Sequence, residues 1–167
     1  WEVMVTTTKD KVERAMEWTR LVEENKLGYL ALIRNLCYIL DSLSLLDINA
    51  ESWINKYLYP QLVNEEKILK SKIFPYQIYC AHKNMRNSNS LITYCLDKAF
   101  RIACGNMEKF DGKSVIMLDI SGSMEDTISS RSNITIKEVG ACYAAALYIS
   151  QDCDFVKFGT DAKSCSY

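Results

Sequence analysis

The fold of the second half of this chain is decided by the stretch Val115-Ile116-Met117-Leu118-Asp119-Ile120-Ser121-Gly122-Ser123-Met124. Its apolar start follows a turn-forming Asp-Gly-Lys sequence and predicts a short buried strand. Asp119 then ends that strand, at the edge where open α/β sheets place their ligands. Together with Ser121 and Ser123 it offers one carboxylate and two hydroxyls, oxygen ligands that suit a hard divalent cation, Mg2+ above all. The alternative is an ordinary strand-to-helix turn in which these side chains cap backbone groups.

The residues after this stretch predict the opening of an α/β domain. A helix is expected over 134–150, with a face of small residues that allows close packing on a sheet. A second strand is expected over 154–159, a turn over 160–163 and the start of a returning strand over 164–167. Strand, helix and strand in this order are typical of an α/β domain, but these few elements do not cover both faces of a sheet.

Residues 1–110 have a different pattern, a succession of short amphipathic or apolar helices. The pattern places helices at about 10–26, 29–40, 76–85 and 91–103, with two more between them, one carrying Trp53 to Leu58 and one beginning near Asn64. The apolar positions of the first helix are Val12, Met16, Trp18 and Val22. Asn64 is expected to cap one of them, and either Asp47 or Asn49 another. Successive helices with apolar faces predict a mainly α, helical-repeat (HEAT-like) arrangement in this part of the chain.

Composition and charge exclude several classes of protein. The chain has 167 residues and a net charge of −1, with 15 basic and 13 acidic residues before position 111, and 5 and 8 after it. This balance is no electrostatic signal for nucleic acid. No apolar run is long enough for a membrane helix. The seven cysteines form no Cys-x-x-Cys pair and accompany a single histidine, which disfavours a zinc site and favours a reducing, cytoplasmic compartment.

Each half of the chain contains a motif that resembles a known domain family. The Asp-x-Ser-x-Ser pattern at Asp119, Ser121 and Ser123 resembles the metal-ion-dependent adhesion site of von Willebrand factor A domains. The sequence Gly28-Tyr29-Leu30-Ala31-Leu32-Ile33-Arg34-Asn35-Leu36 resembles the signature of TROVE domains, as do Ile73–Ile78 and Leu96–Phe100 further on. The order of these motifs resembles that of the Ro ribonucleoprotein autoantigen family, in which a TROVE domain precedes a von Willebrand factor A-like domain.

The resemblance implies a fold, a division of the chain and a function. Residues 1–110 would be the last helices of a TROVE RNA-binding ring, and residues 111–167 the first part of a Rossmann-like von Willebrand factor A domain. The family binds small noncoding (Y-type) RNAs and misfolded RNAs with single-stranded ends, and is not enzymatic. In such metal sites the two serines coordinate the ion, the Asp acts through water or hydrogen bonds, and a later Thr and Asp complete the set. Those later ligands are not identifiable here, and a chain that begins with Trp1 is expected to be an internal segment of a longer protein.

Other functions compete with RNA capture. One is a metal-dependent module in which a protein ligand's carboxylate completes the shell of a Mg2+ ion at Asp119. Another is a phosphohydrolase with Asp119 as nucleophile. This function is disfavoured because such a site requires a second acidic residue two positions after the nucleophile, where this chain has Ser121. No catalytic residue is therefore assigned.

RNA contacts are not assigned from the sequence either. Arg34 lies on an apolar helix and is expected to pack with a partner rather than to contact RNA. The lysines at 67, 70, 72 and 83, with Arg86, are by default a solvated surface. The tyrosines at 57, 59, 76, 79 and 94 are expected to pack in the core rather than to stack on bases.

Overall fold

The computed structural model of this chain describes residues 10–85, 89–130 and 132–159, and the backbone of 162–164. Its helical part consists of α1 (Lys11–Glu23), α2 (Tyr29–Arg34), α3 (Leu36–Leu45), α4 (Ala50–Trp53), a π-helical turn (Ile54–Leu58), α5 (Tyr59–Leu62), α6 (Glu65–Lys70), α7 (Pro75–Lys83), α8 (Ser90–Ala103) and a 3-10 turn (Cys104–Asn106). The remainder consists of β1 (Ser114–Asp119), a 3-10 turn (Gly122–Glu125), α9 (Ile136–Ser150), β2 (Cys153–Phe158) and β3 (Ala162–Ser164). The fold is mostly helical, as predicted.

Aliphatic side chains from successive helices form one continuous core in the helical part. Its fully buried members include Leu32, Ile39, Leu58, Ile68 and Ile92, which come from five separate elements. Burial of each such side chain contributes about 1.5–3 kcal/mol relative to leaving it in water. The helices are therefore held by shared packing rather than by their own propensity, because several are too short to be stable alone.

Polar side chains begin several of these helices. Asp10 accepts hydrogen bonds from the backbone N–H groups of Val12 and Glu13, and Asn64 accepts one from Lys67. Asn49 accepts from the N–H of Ser52, which confirms it rather than Asp47 as the cap of α4. Each such cap contributes about 1 kcal/mol by satisfying a backbone donor that the helix leaves free.

The structure corrects two predictions for the helical part. The single helix expected over 29–40 is two helices that break at Asn35, whose side-chain amide donates to the Ala31 carbonyl at 2.9 Å. The apolar face expected for α1 is only partly internal. Trp18 and Val22 are buried, whereas Met16 remains 59% exposed.

The three strands form one small sheet in the order β1-β2-β3. β1 and β2 are parallel, with Ser114 opposite Cys153 and Asp119 opposite Phe158, and α9 connects them. This confirms the predicted strand, helix and strand. The expectation that the first strand is buried is wrong for one of its faces, since Val115 is 58% and Met117 66% exposed. β3 is antiparallel to β2 and includes positions 162 and 163, which were expected in the preceding turn. The rest of that turn and residues 165–167 lie outside the described residues.

α9 packs on the sheet with one side and on the helical part with another. Tyr143 on α9 stacks on Tyr76 of α7, with ring centroids 6.1 Å apart and planes inclined by 18°. Glu138 accepts hydrogen bonds from Tyr79 and Lys83, which are also on α7. The parts of the chain on either side of residue 110 are therefore in direct contact.

Candidate functional site

The parallel pairing of β1 with β2 positions the carboxylate of Asp119. Asp119 is the last residue of β1, and the next N–H, that of Ile120, still donates to the Phe158 carbonyl at 2.8 Å. The chain then turns, and the N–H of Ser121 donates to Asp119 Oδ1 at 2.8 Å. This bond holds the carboxylate over the turn, at the carboxyl edge of the sheet, as the sequence predicts.

The two serine hydroxyls lie beside each other in this turn. Ser121 Oγ and Ser123 Oγ are 3.2 Å apart, and Ser123 is exposed to solvent. Adjacent ligands of an octahedral Mg2+ ion, at about 2.1 Å from the metal, are about 3 Å apart. The spacing of the hydroxyls and the all-oxygen donor set therefore fit Mg2+, and Ser121 and Ser123 could hold it directly.

The electrostatics of Asp119 favour its ionised form. The hydrogen bond from the Ser121 backbone N–H, followed by one from the Ser121 side chain, lowers the pKa of Asp119. A carboxylate that already accepts such bonds is charged at neutral pH and presents its remaining lone pairs to a water or a cation. The same bonds are those of a simple capped turn, so the geometry is compatible with both sequence interpretations.

The loop that follows the turn is tied to the start of α9. Lys137 forms an ion pair with Glu125, and the N–H of Ile136 donates to the Asp126 carbonyl at 2.9 Å. Thr127 pairs with Thr135 in an isolated bridge. Thr160 and Asp161, which we interpret from the sequence as turn residues rather than as the later Thr and Asp ligands, lie outside the described residues. In the described part of the chain no group of three or more His, Cys, Asp or Glu side chains is arranged to hold a metal ion.

The residues considered for RNA contacts are placed differently from the expectation. Arg34 is exposed, and within the described part of the chain it forms no hydrogen bond or ion pair, so the packed partner that was expected is not seen there. All five tyrosines were expected to pack in the core. Four of them are half-buried, which agrees with this expectation in part, whereas Tyr94 is 56% exposed. Lys83 is paired with Glu138, and Arg86 lies outside the described residues.

Glu138 is a residue whose role sequence reasoning missed. Its carboxylate accepts from the Thr135 N–H at 2.9 Å, while its own N–H donates to Thr135 Oγ1 at 3.1 Å. This reciprocal arrangement is a capping box, whose signature is a Thr followed three residues later by a Glu before an apolar run. That signal is present in the sequence at 135–138 and could have placed the start of α9.

An array of short helices joined to a strand-helix-strand unit with an oxygen-lined turn defines a helical scaffold protein with a small α/β extension. A comparison with protein-family models matches the TROVE domain over residues 1–147. The chain therefore belongs to the TROVE domain family, an RNA-binding ribonucleoprotein family. Comparisons with curated proteins and with solved structures gave no match.

The family match also bears on the rest of the chain. It runs through β1, the Asp119 turn and most of α9, beyond the boundary expected at residue 110. Among the helices of the described residues, none has the length and apolar character needed to cross a membrane.

Proposed function

We propose that this protein captures small noncoding, Y-type RNAs and misfolded RNAs with single-stranded ends, as a ribonucleoprotein component of RNA quality control in the cytoplasm. The TROVE domain match over residues 1–147 is the observation that carries the proposal. The protein acts by binding and has no catalytic activity of its own. Its helices form the scaffold that presents cationic side chains to the RNA backbone.

Binding of this kind rests on phosphate contacts and on the shape of the RNA more than on its base sequence. Each phosphate that a lysine or arginine neutralises releases condensed counterions, so affinity falls steeply as salt is added. Unstacked bases at a single-stranded end add stacking and apolar contacts that a blunt duplex does not offer.

The test compares two RNAs with the native-length protein across a salt series. One is a structured RNA with a single-stranded 3′ tail, and the other is the same RNA with a blunt end. We expect tighter binding of the tailed RNA, and an affinity that falls with salt for both. Equal affinity for the two RNAs would contradict capture through single-stranded ends, and no binding to either would overturn the RNA function.

For residues 111–167 we propose the start of a von Willebrand factor A-like domain whose Asp119, Ser121 and Ser123 take part in holding Mg2+. The 3.2 Å separation of the two serine hydroxyls and the lowered pKa of Asp119 support this site. Bound Mg2+ would supply a positive charge with open coordination positions for an anionic ligand. Asp119 orients Ser121 through the backbone hydrogen bond at 2.8 Å, and Ser123 faces solvent where a ligand can approach.

This site also supports the alternative function, a metal-dependent module that binds a protein through a carboxylate of that partner. Removal of the metal by a chelator distinguishes the two functions. If the site serves a protein partner, removal of divalent cations by a chelator abolishes partner binding and leaves RNA binding unchanged. Loss of RNA binding on chelation would instead connect the metal with the RNA.

A further inference from the structure

One cavity on the surface lies in the helical part, between the segment that begins α2 and the helix α6. It has a volume of about 680 Å³, within the range of about 300–1,000 Å³ that ligand sites occupy. The segment around the start of α2 forms one wall with Leu27, Leu30 and Ala31, and α6 contributes Lys67 and Lys70. Arg34, at the end of α2, completes the cationic lining.

The charge of this groove is uncompensated. None of the residues that line it in the described part of the chain is acidic. Several other cations of the chain are neutralised by carboxylates, as Arg20 is by Glu17 and Lys137 is by Glu125. In the groove, the ammonium of Lys67 instead meets the neutral side chain of Asn25. Partial burial lowers the pKa of Lys67, as expected for an ammonium that loses hydration without gaining a carboxylate.

Hydrogen bonds that do not involve the cationic side chains hold the walls of the groove in place. The Tyr29 hydroxyl is buried and donates to the Leu62 carbonyl at 2.8 Å, which fixes α2 against the end of α5. Asn35 uses its amide to bind the Ala31 carbonyl, and Ser71 uses its hydroxyl to bind that of Ile68. Arg34 and Lys70 are exposed and free of these structural bonds, so they are available to a ligand.

We propose that this groove, lined by Arg34, Lys67 and Lys70, is a binding site for the sugar-phosphate backbone of single-stranded RNA. The inference rests on the proposed RNA function and assigns it to particular residues. Arg34 offers a planar fork for a phosphate, and the two lysines offer point charges beside it. The apolar wall of Leu27, Leu30 and Ala31 accepts an unstacked base or ribose. A concave site of this size suits a single strand rather than the wide surface of a duplex.

The test uses a fluorescently labelled oligouridylate of about 12 nucleotides and the full native-length protein. The variant Arg34→Gln/Lys70→Gln removes two positive charges at exposed positions that make none of the structural hydrogen bonds described above. The matched control Lys11→Gln/Lys98→Gln removes the same charge from exposed positions outside the groove. Anisotropy measures affinity across a salt series, and circular dichroism checks that each variant is folded.

We expect the groove variant to bind at least about 10-fold more weakly than the control, with the magnitude of the salt slope reduced by about 1.4 for two lost single-strand phosphate contacts. Arg34→Lys/Lys70→Arg, which keeps the charge, should recover most of the affinity. If the parent binds the RNA and the groove variant binds as the control does, the groove is rejected and the RNA function stands. If the parent does not bind RNA, the proposed function itself fails.

A further arm replaces the RNA with poly-glutamate, an acidic polypeptide of similar charge. Selective loss of poly-glutamate binding in the groove variant, with RNA binding unchanged, would overturn the proposal in favour of an acidic protein ligand. Loss of RNA binding together with a negligible affinity of the parent for poly-glutamate supports the RNA site.

Discussion

The phenol of Tyr79 donates a hydrogen bond of 2.7 Å to the carboxylate of Glu138, although 59 positions separate the two residues. The same carboxylate accepts from Lys83 at 2.6 Å and closes the capping box of α9 with Thr135. One side chain therefore both begins α9 and joins it to α7. Since the loop from the Asp119 turn leads directly into α9, this contact connects the candidate metal site with the helical scaffold.

The charge of Glu138 is predicted to stabilise the fold in a pH-dependent way. The hydrogen bond from Lys83, followed by those from Thr135 and Tyr79, lowers the pKa of Glu138 to about 2, below the ordinary value of 4.5. The stabilisation is therefore complete above about pH 5 and is lost as the pH falls towards 2. Glu138→Gln should reduce the free energy of unfolding by about 1 kcal/mol at pH 7, and the difference from the parent should shrink below pH 4.5.

Urea unfolding at several pH values measures this difference. Glu108→Gln is the matched control, because Glu108 is exposed and forms no hydrogen bond or ion pair within the described part of the chain. A deficit for Glu138→Gln that stays constant down to pH 2 would contradict the charge-based account.

Gly140 allows α9 to approach β1 closely. A Cβ at Gly140 would lie only 3.0 Å from Leu118 Cδ1, which is closer than ordinary van der Waals contact. Gly140→Val should therefore destabilise the chain by about 1–3 kcal/mol through overpacking against the sheet. Valine has a higher helix propensity than glycine, so a loss of stability in Gly140→Val would come from packing. Ala145→Val, at an exposed position of the same helix, measures the cost of a β-branched side chain alone. Thermal unfolding of Gly140→Val at or above the temperature of the parent would contradict overpacking.

The contrast between Leu58 and Met16 tests which apolar residues form the core. Leu58 is fully buried, and Leu58→Ala should reduce the free energy of unfolding by about 2–5 kcal/mol through cavity formation. Met16 is 59% exposed, so Met16→Ala should change stability by no more than about 0.5 kcal/mol. A large loss for Met16→Ala, measured by urea unfolding, would mean that the exposed side of α1 is covered in the native protein.

These elements show where sequence reasoning succeeds and where it stops. The place of β1 was predicted because a turn-forming sequence precedes it and a polar turn follows it, and the structure confirms the first turn with Gly112 at a φ of 81°. The exposure of Val115 and Met117 on one face of β1 was not predicted. The break at Asn35 was missed, since apolar residues on both sides continue a helical period through it. The exposure of Met16 depends on which neighbours α1 has, and periodicity carries no information on that.

The two candidate sites also differ in how far the sequence alone predicts them. Asp119, Ser121 and Ser123 belong to one turn, so their proximity follows from local sequence alone. The groove lies between α2, which carries Arg34, and α6, which carries Lys70, and only tertiary packing brings these two helices together. Arg34 was expected to pack with a partner because an apolar helix surrounds it in sequence, whereas in the structure it is exposed at the last position of α2.

The Asp119 turn gives the prediction that decides between a metal site and a capped turn. Asp119→Asn keeps an oxygen that can accept the Ser121 N–H but removes the negative charge, so the turn is preserved while the attraction for a cation is lost. Calorimetry on the native-length protein should show Mg2+ binding weakened by about 10–100-fold, with RNA binding unaffected. Asp111→Asn, an exposed position before β1, is the control. Equal Mg2+ affinity in Asp119→Asn and the parent would show that Asp119 acts only as a cap of the turn. A cap needs only the acceptor oxygen, which asparagine keeps, whereas a metal site needs the negative charge.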